Sequence, residues 1–192
     1  MEKLGLDFYL QQDVVALAKD TLGKRLCTNI NNQFCSAIIT ETEAYAGERD
    51  KASHAYRGRR TARTEILYRQ GGIAYVYLCY GMHSLFNIVT NIENIPHAIL
   101  IRAIKIEKGI ETMLQRSGKP QLKRLDSIGP GKVSKLLGIH HSHSGISLLE
   151  NEIWLENTDI LIKDKDIRTE KRVGIDYAEE DADLPYRFVL DF

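Results

Sequence analysis

Two carboxylates and a tyrosine alternate along Ile38-Ile39-Thr40-Glu41-Thr42-Glu43-Ala44-Tyr45. Isoleucines with interleaved threonines favour an extended strand, whose side chains point to its two faces in turn. Ile39, Glu41, Glu43 and Tyr45 are therefore expected on one face. A carboxylate held on a strand beside an aromatic ring has the makings of a general base next to a stacking surface. The plainer reading is a strand that runs out of the core and leaves its last charges in water, because charged residues are mostly exposed. Arg102 bears on the choice, since it interrupts the apolar run Leu100-Ile101-Arg102-Ala103-Ile104. A charge that deep is seldom left unpaired, and Glu41 or Glu43 is its expected partner.

Other stretches carry chemistry of their own. Gly72 to Val89 reads as a hairpin turning at Gly81, with Tyr75, Tyr77 and Cys79 on one face of its first strand. Tyr80 and Met82 fall at the tip, where large apolar groups are wasted on solvent. An aromatic wedge on a hairpin is one way into a base stack; packing of Tyr80 on its own hairpin is the alternative. Arg49 to Arg69 holds seven basic residues against Asp50 and Glu65, either as phosphate contacts or as a solvated loop. Gly129-Pro130-Gly131-Lys132 opens a short helix through Leu137, a start that suits phosphate but is also ordinary helix grammar. His140-His141-Ser142-His143 lacks carboxylates at ligand spacing, so no metal is expected there.

The elements that must position these groups follow from periodicity. A short amphipathic helix is expected over Asp13 to Leu22, stopped by Gly23. Strands are expected over Lys24 to Ile30 and Phe34 to Tyr45, joined by Asn31-Asn32-Gln33. Thr61 to Arg69 reads as a helical turn or two, His97 to Ile106 as a strand, and Glu107 to Arg116 as a helix. Short strands are expected around Ile153–Leu155, Ile160–Lys163, Val173–Ile175 and Tyr186–Leu190. The 192 residues fit one domain, with 43% hydrophobic and 27% charged content typical of a globular protein. No apolar run reaches membrane-spanning length, and Met1 to Gly5 does not open a secretory signal. Three cysteines without close pairing (Cys27, Cys35, Cys79) read as free thiols of the cytoplasm. Formal net charge is zero, which argues against a protein held on nucleic acid by global charge. The charge is nevertheless segregated: the basic loop contrasts with six acids against Arg187 between Asp176 and Asp191.

Taken in order, Glu41-Thr42-Glu43-Ala44-Tyr45, Ala52-Ser53-His54, Tyr75 to His83, Asn87, Leu100-Ile101-Arg102-Ala103, Gly129-Pro130-Gly131-Lys132 and Arg172-Val173-Gly174-Ile175 resemble the alkyladenine (3-methyladenine) DNA glycosylase family. The resemblance runs from about Phe8 to Phe188. It implies an α+β fold: one mixed domain over 1–192 with a curved antiparallel sheet, short flanking helices and a protruding hairpin. It also implies a monofunctional enzyme that flips alkylated or deaminated purines out of double-stranded DNA and hydrolyses the N-glycosidic bond. By the resemblance, Glu43 is the base that activates a catalytic water, and Arg102 helps hold water and carboxylate. Tyr45, His54 and Tyr77 wall the pocket for the extruded base, and Asn87 disfavours guanine through its exocyclic amine. Tyr80 fills the gap left in the duplex. Arg57, Arg59, Arg60, Arg63 and Lys132 are the expected DNA-backbone contacts. The chemistry is coherent: a base inside a duplex must be extruded to be cut, and a carboxylate stabilises an oxocarbenium-like sugar while taking the water's proton. No lysine neighbours Glu43 in sequence to form a Schiff base, and no cofactor is called for. A monomer is expected.

Two departures stand out. Thr64 replaces the family's usual asparagine after Thr61-Ala62-Arg63, and Ala178-Glu179-Glu180-Asp181 replaces a usual Ala-Gly-Glu-Trp. Three rival readings remain open. One is a non-catalytic damaged-DNA-binding module in which Glu43 merely pairs with Arg102. The second is a metal-dependent hydrolase built on Glu41, Glu43, Asp50 and His54. The third is a helix-hairpin-helix element at Gly129 to Leu137.

Overall fold

In the computed structural model, which describes residues 2–191, the chain is organised on one long strand. Met1, which heads the segment read for a signal, lies outside the described residues, as does Phe192. The long strand is β2 (Gln33–Tyr45), thirteen residues that enter from β1 (Arg25–Ile30) through a tight turn. Asn31 and Asn32 both take left-handed φ there (55° and 60°), the geometry that matches the twist of a two-residue hairpin. The other strands are β3 (Ile73–Cys79), β4 (His83–Thr90), β5 (His97–Lys108), β6 (Ile153–Glu156), β7 (Ile167–Glu170) and β8 (Arg187–Leu190). They form one curled eight-stranded antiparallel sheet in the order β3-β4-β5-β2-β1-β6. One edge of β2 is divided: β1 takes it up to Ile38, and β8, itself paired with β7, takes Glu41 to Glu43.

Among the described residues four short α-helices complete an α+β fold: α1 (Leu6–Tyr9), α2 (Val14–Asp20), α3 (Ile110–Ser117) and α4 (Pro130–Leu137). Asp13 caps α2 by accepting from the N–H groups of Val15 and Ala16, which satisfies donors that the first turn leaves open. Leu17, Met113, Leu136 and Leu137 of the helices pack with Leu26, Phe86, Ile88, Ile99 and Ile101 of the strands into the main core. The helices thus cover one face of the sheet. The opposite face is left for the groups with chemistry.

Several sequence expectations need correction. Glu107 and Lys108 finish β5 rather than start a helix: Lys108 pairs with Ser36, and Gly109 turns left-handed (φ 85°) before α3 begins at Ile110. Ile160–Lys163 and Val173–Ile175 are not strands. Gly174 breaks the latter run with φ 75°, and the nearby strand is Ile167–Glu170, whose polar composition hides it. Ile39 does not share a face with Glu41, Glu43 and Tyr45. Ala37 and Ile39 enter the core, but so do Thr42, whose Oγ1 donates to the Ala18 carbonyl at 2.8 Å, and Ala44. The alternation therefore changes parity between Ile39 and Thr42.

Glu179 occupies φ 52° and ψ −128°, a conformation at home with glycine, and it stands where the resemblance expects glycine. Its side chain pairs with Lys51, as does that of Glu180. Backbone strain of this kind amounts to about 1–3 kcal/mol. Glu179→Gly is therefore expected to stabilise the protein by roughly 1 kcal/mol after the added freedom of the unfolded chain is counted. That corresponds to a Tm rise of about 2–4 °C in a thermal melt. A lowered Tm would show that the ion pair to Lys51 outweighs the strain.

Candidate active site

The parity change has a geometric cause. Ile39 pairs with Ile104 and Glu41 with Ala103, so Thr40 is an extra residue on β2. Thr42 then pairs with Ile101, so Arg102 is an extra residue on β5. Each bulge shifts its strand by one position, which sends every later side chain to the other face. The two shifts compensate, and the ladder resumes in step through Tyr45 and Ala98. Glu41, Glu43, Tyr45 and Arg102 consequently emerge together on the face away from the helices. The start of α4 secures the bulge on β5, because the Gly129 N–H donates to the Arg102 carbonyl at 2.7 Å.

Arg102 lies between both carboxylates. Its Nε donates to Glu41 Oε1 at 2.9 Å, and its Nη1 is 3.3 Å from Glu43 Oε1. Glu41 Oε1 also accepts from Arg187 Nη1 at 3.0 Å, so a second cation serves the first carboxylate. Glu43 is wholly buried. Its Oε2 accepts from the Tyr45 hydroxyl at 2.8 Å, and its Oε1 accepts from the Val173 N–H at 2.8 Å. Burial pushes the Glu43 carboxyl above the ordinary glutamate range, while Arg102, the Val173 N–H and the Tyr45 hydroxyl pull it back in part. Burial and the Glu43 charge hold Tyr45 as a protonated donor, well above the usual phenol range.

The partners of Glu43 line a cavity of about 300 Å³ together with His54, Tyr77 and Asn87. His54 meets Tyr77 edge to face, with centroids 4.7 Å apart at 74°. Its Nδ1 is hydrogen-bonded to the Tyr75 hydroxyl at 2.8 Å. Burial, with the Arg63 and Arg59 charges, pushes His54 down to about 4, so the imidazole is neutral near pH 7. Asn87 is buried and donates Nδ2 to the carbonyls of Tyr75 and Leu85, both at 3.2 Å. Its Oδ1 is left without a partner among the described residues. Tyr80 stands 89% exposed at the hairpin tip, with left-handed φ at Tyr80 and Gly81 (51° and 68°), and it lines the mouth of the same cavity. It does not fold back on its hairpin.

The basic residues separate into two kinds. Arg57, Arg59 and Arg63 are exposed on the loop beside the cavity. Arg60 is spent on structure: it bonds Glu65 and Asn94 and lies 3.8 Å over the Tyr68 ring. Lys132 is exposed and donates to the Leu125 carbonyl at 2.8 Å. Thr64 is buried where the resemblance expects asparagine, and its hydroxyl accepts from the Thr61 N–H at 2.8 Å and donates to the Arg59 carbonyl at 3.0 Å. Those two bonds tie the loop over 59–64 together. Asp50 belongs to no carboxylate cluster with Glu41, Glu43 and His54, because both its oxygens are bound by Arg172. His143 accepts from the His140 N–H at 2.8 Å and closes a turn. Among the described residues no three His, Cys, Asp or Glu are grouped to hold a metal ion, and no helix is long and apolar enough to cross a membrane.

Sequence reasoning gave no role to Arg187, to Arg172 or to the Val173 N–H, and it offered Asp50 only as a metal ligand rather than as the partner of Arg172. A backbone donor leaves no mark in composition. Arg172 sits in a quoted motif, and its flanking position to Val173 is a signal visible only once Glu43 is known to need a donor.

The model of the methylpurine-DNA glycosylase family matches residues 7–191. Three bacterial proteins that carry the provisional name 3-methyladenine DNA glycosylase are similar over nearly their full length. The one from Chlamydia felis is 49% identical over 96% of this chain and 94% of its own. Those from Chlamydia abortus and Desulfitobacterium hafniense are 46% and 42% identical, covering 95% and 100% of this chain and 95% and 96% of their own. A match that takes in every strand of the sheet, both bulges and the whole Glu43 cavity leaves no part of the site outside it, and this chain belongs to the methylpurine-DNA glycosylase family.

Proposed function

We propose that the protein is a monofunctional DNA-repair glycosylase that excises alkylated or deaminated purines, of the 3-methyladenine and hypoxanthine kinds, from double-stranded DNA. The observation that carries this reading is that Tyr45, Arg102 and Val173 all hold Glu43 and all line one aromatic cavity. A carboxylate kept only for structure has no need of an open, aromatic-walled space beside it.

In this reading the damaged nucleotide is extruded, and Tyr80 occupies the gap so that the stack does not close. The base lies among Tyr45, His54 and Tyr77, where an electron-poor purine stacks well on electron-rich rings. Neutral His54 suits a cationic alkylpurine, because it adds no opposing charge. A carboxylate offers about four acceptor positions. Three at Glu43 are engaged, and the fourth, on Oε2, is left for a hydrogen of the attacking water. The lining residues must admit that water from the cavity, because Glu43 itself has no exposed atom. The water oxygen bonds to the anomeric carbon as the N-glycosidic bond breaks, with its electron pair leaving on the purine. Glu43 takes the water's proton, and the products are an abasic site and a free base. Glu43 and Arg102 also offset the positive charge that develops on the sugar. Among the residues lining the cavity there is no lysine, so a Schiff-base route has no nucleophile there. Asn87, pinned by its two backbone bonds, is a rigid part of the cavity wall, and its bulk leaves no room for the exocyclic amine of guanine. Exposed Arg57, Arg59 and Arg63, with Lys132, contact the phosphates, whereas Arg60 holds their loop. The chain acts as a monomer.

Base release from a labelled duplex carrying one hypoxanthine or alkylated adenine, with chelator throughout, tests this reading. Wild type is expected to create alkali-labile sites, and Glu43→Gln to lose about 10²–10⁴-fold in rate while still binding damaged duplex. Gln fits the same partners, with Oε1 toward Val173 and Arg102 and Nε2 toward Tyr45, and it removes a buried charge. The Tm of Glu43→Gln at pH 7.5 is therefore expected at or above that of wild type, which separates lost chemistry from lost fold. No release by wild type across several lesions, with binding retained, would make the protein a damage-binding module.

The pH dependence follows from the environment of Glu43. The base must be ionised, and burial raises its pKa, so single-turnover excision is expected to fall as pH drops through a midpoint above the ordinary value of about 4.3. His54, at about 4, adds no step between pH 5 and 8. A midpoint below the ordinary value would remove Glu43 as the titrating base.

Tyr80→Ala is expected to weaken capture of the flipped state roughly tenfold, in line with the loss of one stacking contact, while sparing the hydrolytic step. The readout is 2-aminopurine fluorescence beside the lesion, together with duplex affinity. Unchanged flipping and affinity would remove Tyr80 from the wedge role.

A further inference from the structure

We infer that Asp50 and Arg172 are positioning residues for Glu43: their buried ion pair holds Val173 where its N–H meets the carboxylate. The inference deepens the reading of Glu43 as the base and rests on it.

The pair is sealed from solvent, with side-chain exposures of 0% for Arg172 and 1% for Asp50. It is bidentate: Arg172 Nη1 meets Asp50 Oδ2 at 2.5 Å, and Nη2 meets Oδ1 at 2.9 Å. Each partner also binds backbone on either side of the site. Arg172 Nη1 donates to the Ala44 carbonyl, next to Glu43, at 2.9 Å, and Nη2 donates to the Asp181 carbonyl at 3.1 Å. Asp50 accepts from the N–H groups of Ala46 and Ala52, each at 2.9 Å. The guanidinium further lies 4.9 Å from the Tyr45 ring centroid and 5.3 Å from that of Tyr186.

Three segments are thereby fixed together: the end of β2, the loop that leads to His54, and the segment after β7. The next residue along that last segment is Val173, whose side chain is half exposed. Its own packing does little to hold it, and Gly174 follows with left-handed φ, so a free loop would wander. The anchor on Arg172 supplies the constraint. The departures in this chain fall on the same cradle: Asp181 Oδ2 accepts from the Lys51 N–H at 2.8 Å, which closes the Asp50 side. A lysine at 172 would not replace the arginine, because an ammonium lacks the planar fork that serves a carboxylate and two carbonyls at once.

The groups around Glu43 set what the anchor does. Arg102 faces it from β5, Glu41 and Tyr45 from β2, Tyr77 from β3, and Arg172 and Tyr177 from the segment after β7. Burial raises the carboxyl, and the Val173 N–H is among the groups that lower it. Losing that donor raises the folded-state value further and moves the acidic limb of excision to higher pH. A purely structural pair would lower stability and leave the limb in place.

The test uses the full chain, with single-turnover excision of hypoxanthine from a duplex between pH 5 and 9. The Glu43 carboxyl is titrated in the free protein by carbon-13 NMR. Arg172→Lys, Asp50→Asn and replacement of Val173 by its α-hydroxy analogue, which exchanges the N–H for an ester oxygen, are compared with wild type. Arg172→Lys and the ester variant are expected to shift both the limb and the titration upward by about half to one pH unit, with less than tenfold loss of rate above the limb. Asp50→Asn also frees the Arg172 charge, which opposes the rise, so its shift is expected to be smaller than that of Arg172→Lys. Should Arg172→Lys not fold, the ester variant, which keeps both charges, carries the comparison. The ester variant leaves both side chains in place and reads the donor alone. An unmoved limb and titration in the foldable variants overturn the inference. A wild type without excision overturns the base assignment instead, and the NMR titration still reports whether the pair governs Glu43.

Discussion

A carboxylate with no exposed atom is the constraint around which this protein is arranged. Transfer of such a charge out of water is unfavourable unless partners replace the lost hydration. Glu43 has a cation, a phenol hydroxyl and a backbone N–H, one from each of three segments. The cation is itself shared, since Arg102 also serves Glu41, and Arg187 then serves Glu41 in turn. Two carboxylates and two guanidinium groups make a neutral set, so the site adds no net charge to the interior. Removing any one partner leaves another group short, which is why the sheet, the loop before His54 and the segment after β7 must close together.

The sheet delivers these partners by breaking its own alternation. The bulges at Thr40 and Arg102 change the parity of two neighbouring strands at the same level, which leaves isoleucines in the core on both sides of the break. The same break divides the edge of β2 between β1 and β8, and β8 brings Arg187. Geometry that reads as an irregularity in the ladder is therefore what places both cations. A regular strand would have put Ile39 beside Glu41 and turned one of them the wrong way.

That distinction marks how far the sequence could be read. Turns with a chemical requirement were legible: Asn31-Asn32 and the Gly81 tip sit where left-handed backbone is needed, and Asp13 caps the helix it precedes. The partner of Arg102 was legible because a buried charge demands one. The face of Ile39 was not, since paired bulges leave composition and local alternation unchanged. The strand at Ile167–Glu170 was hidden by its three polar side chains, two of which face water, and it exists through pairing with β8. Val173 was read as a strand residue because β-branched composition describes the run, whereas its contribution is a backbone N–H that any residue but proline would supply.

The arrangement also sets stability against chemistry. Burial raises the pKa of Glu43 in the folded state, so folding favours the protonated carboxyl. The associated stability is fully present below the unfolded-state value and is lost as pH rises through the folded-state value. Near neutral pH the ionised group is therefore carried at some expense to the fold, and every hydrogen bond it accepts lowers that expense. The same bonds lower its basicity. Too few partners would leave the carboxyl protonated and idle, and too many would leave it stable but a poor acceptor for a proton. A backbone N–H held by a buried ion pair adjusts that balance by one neutral donor.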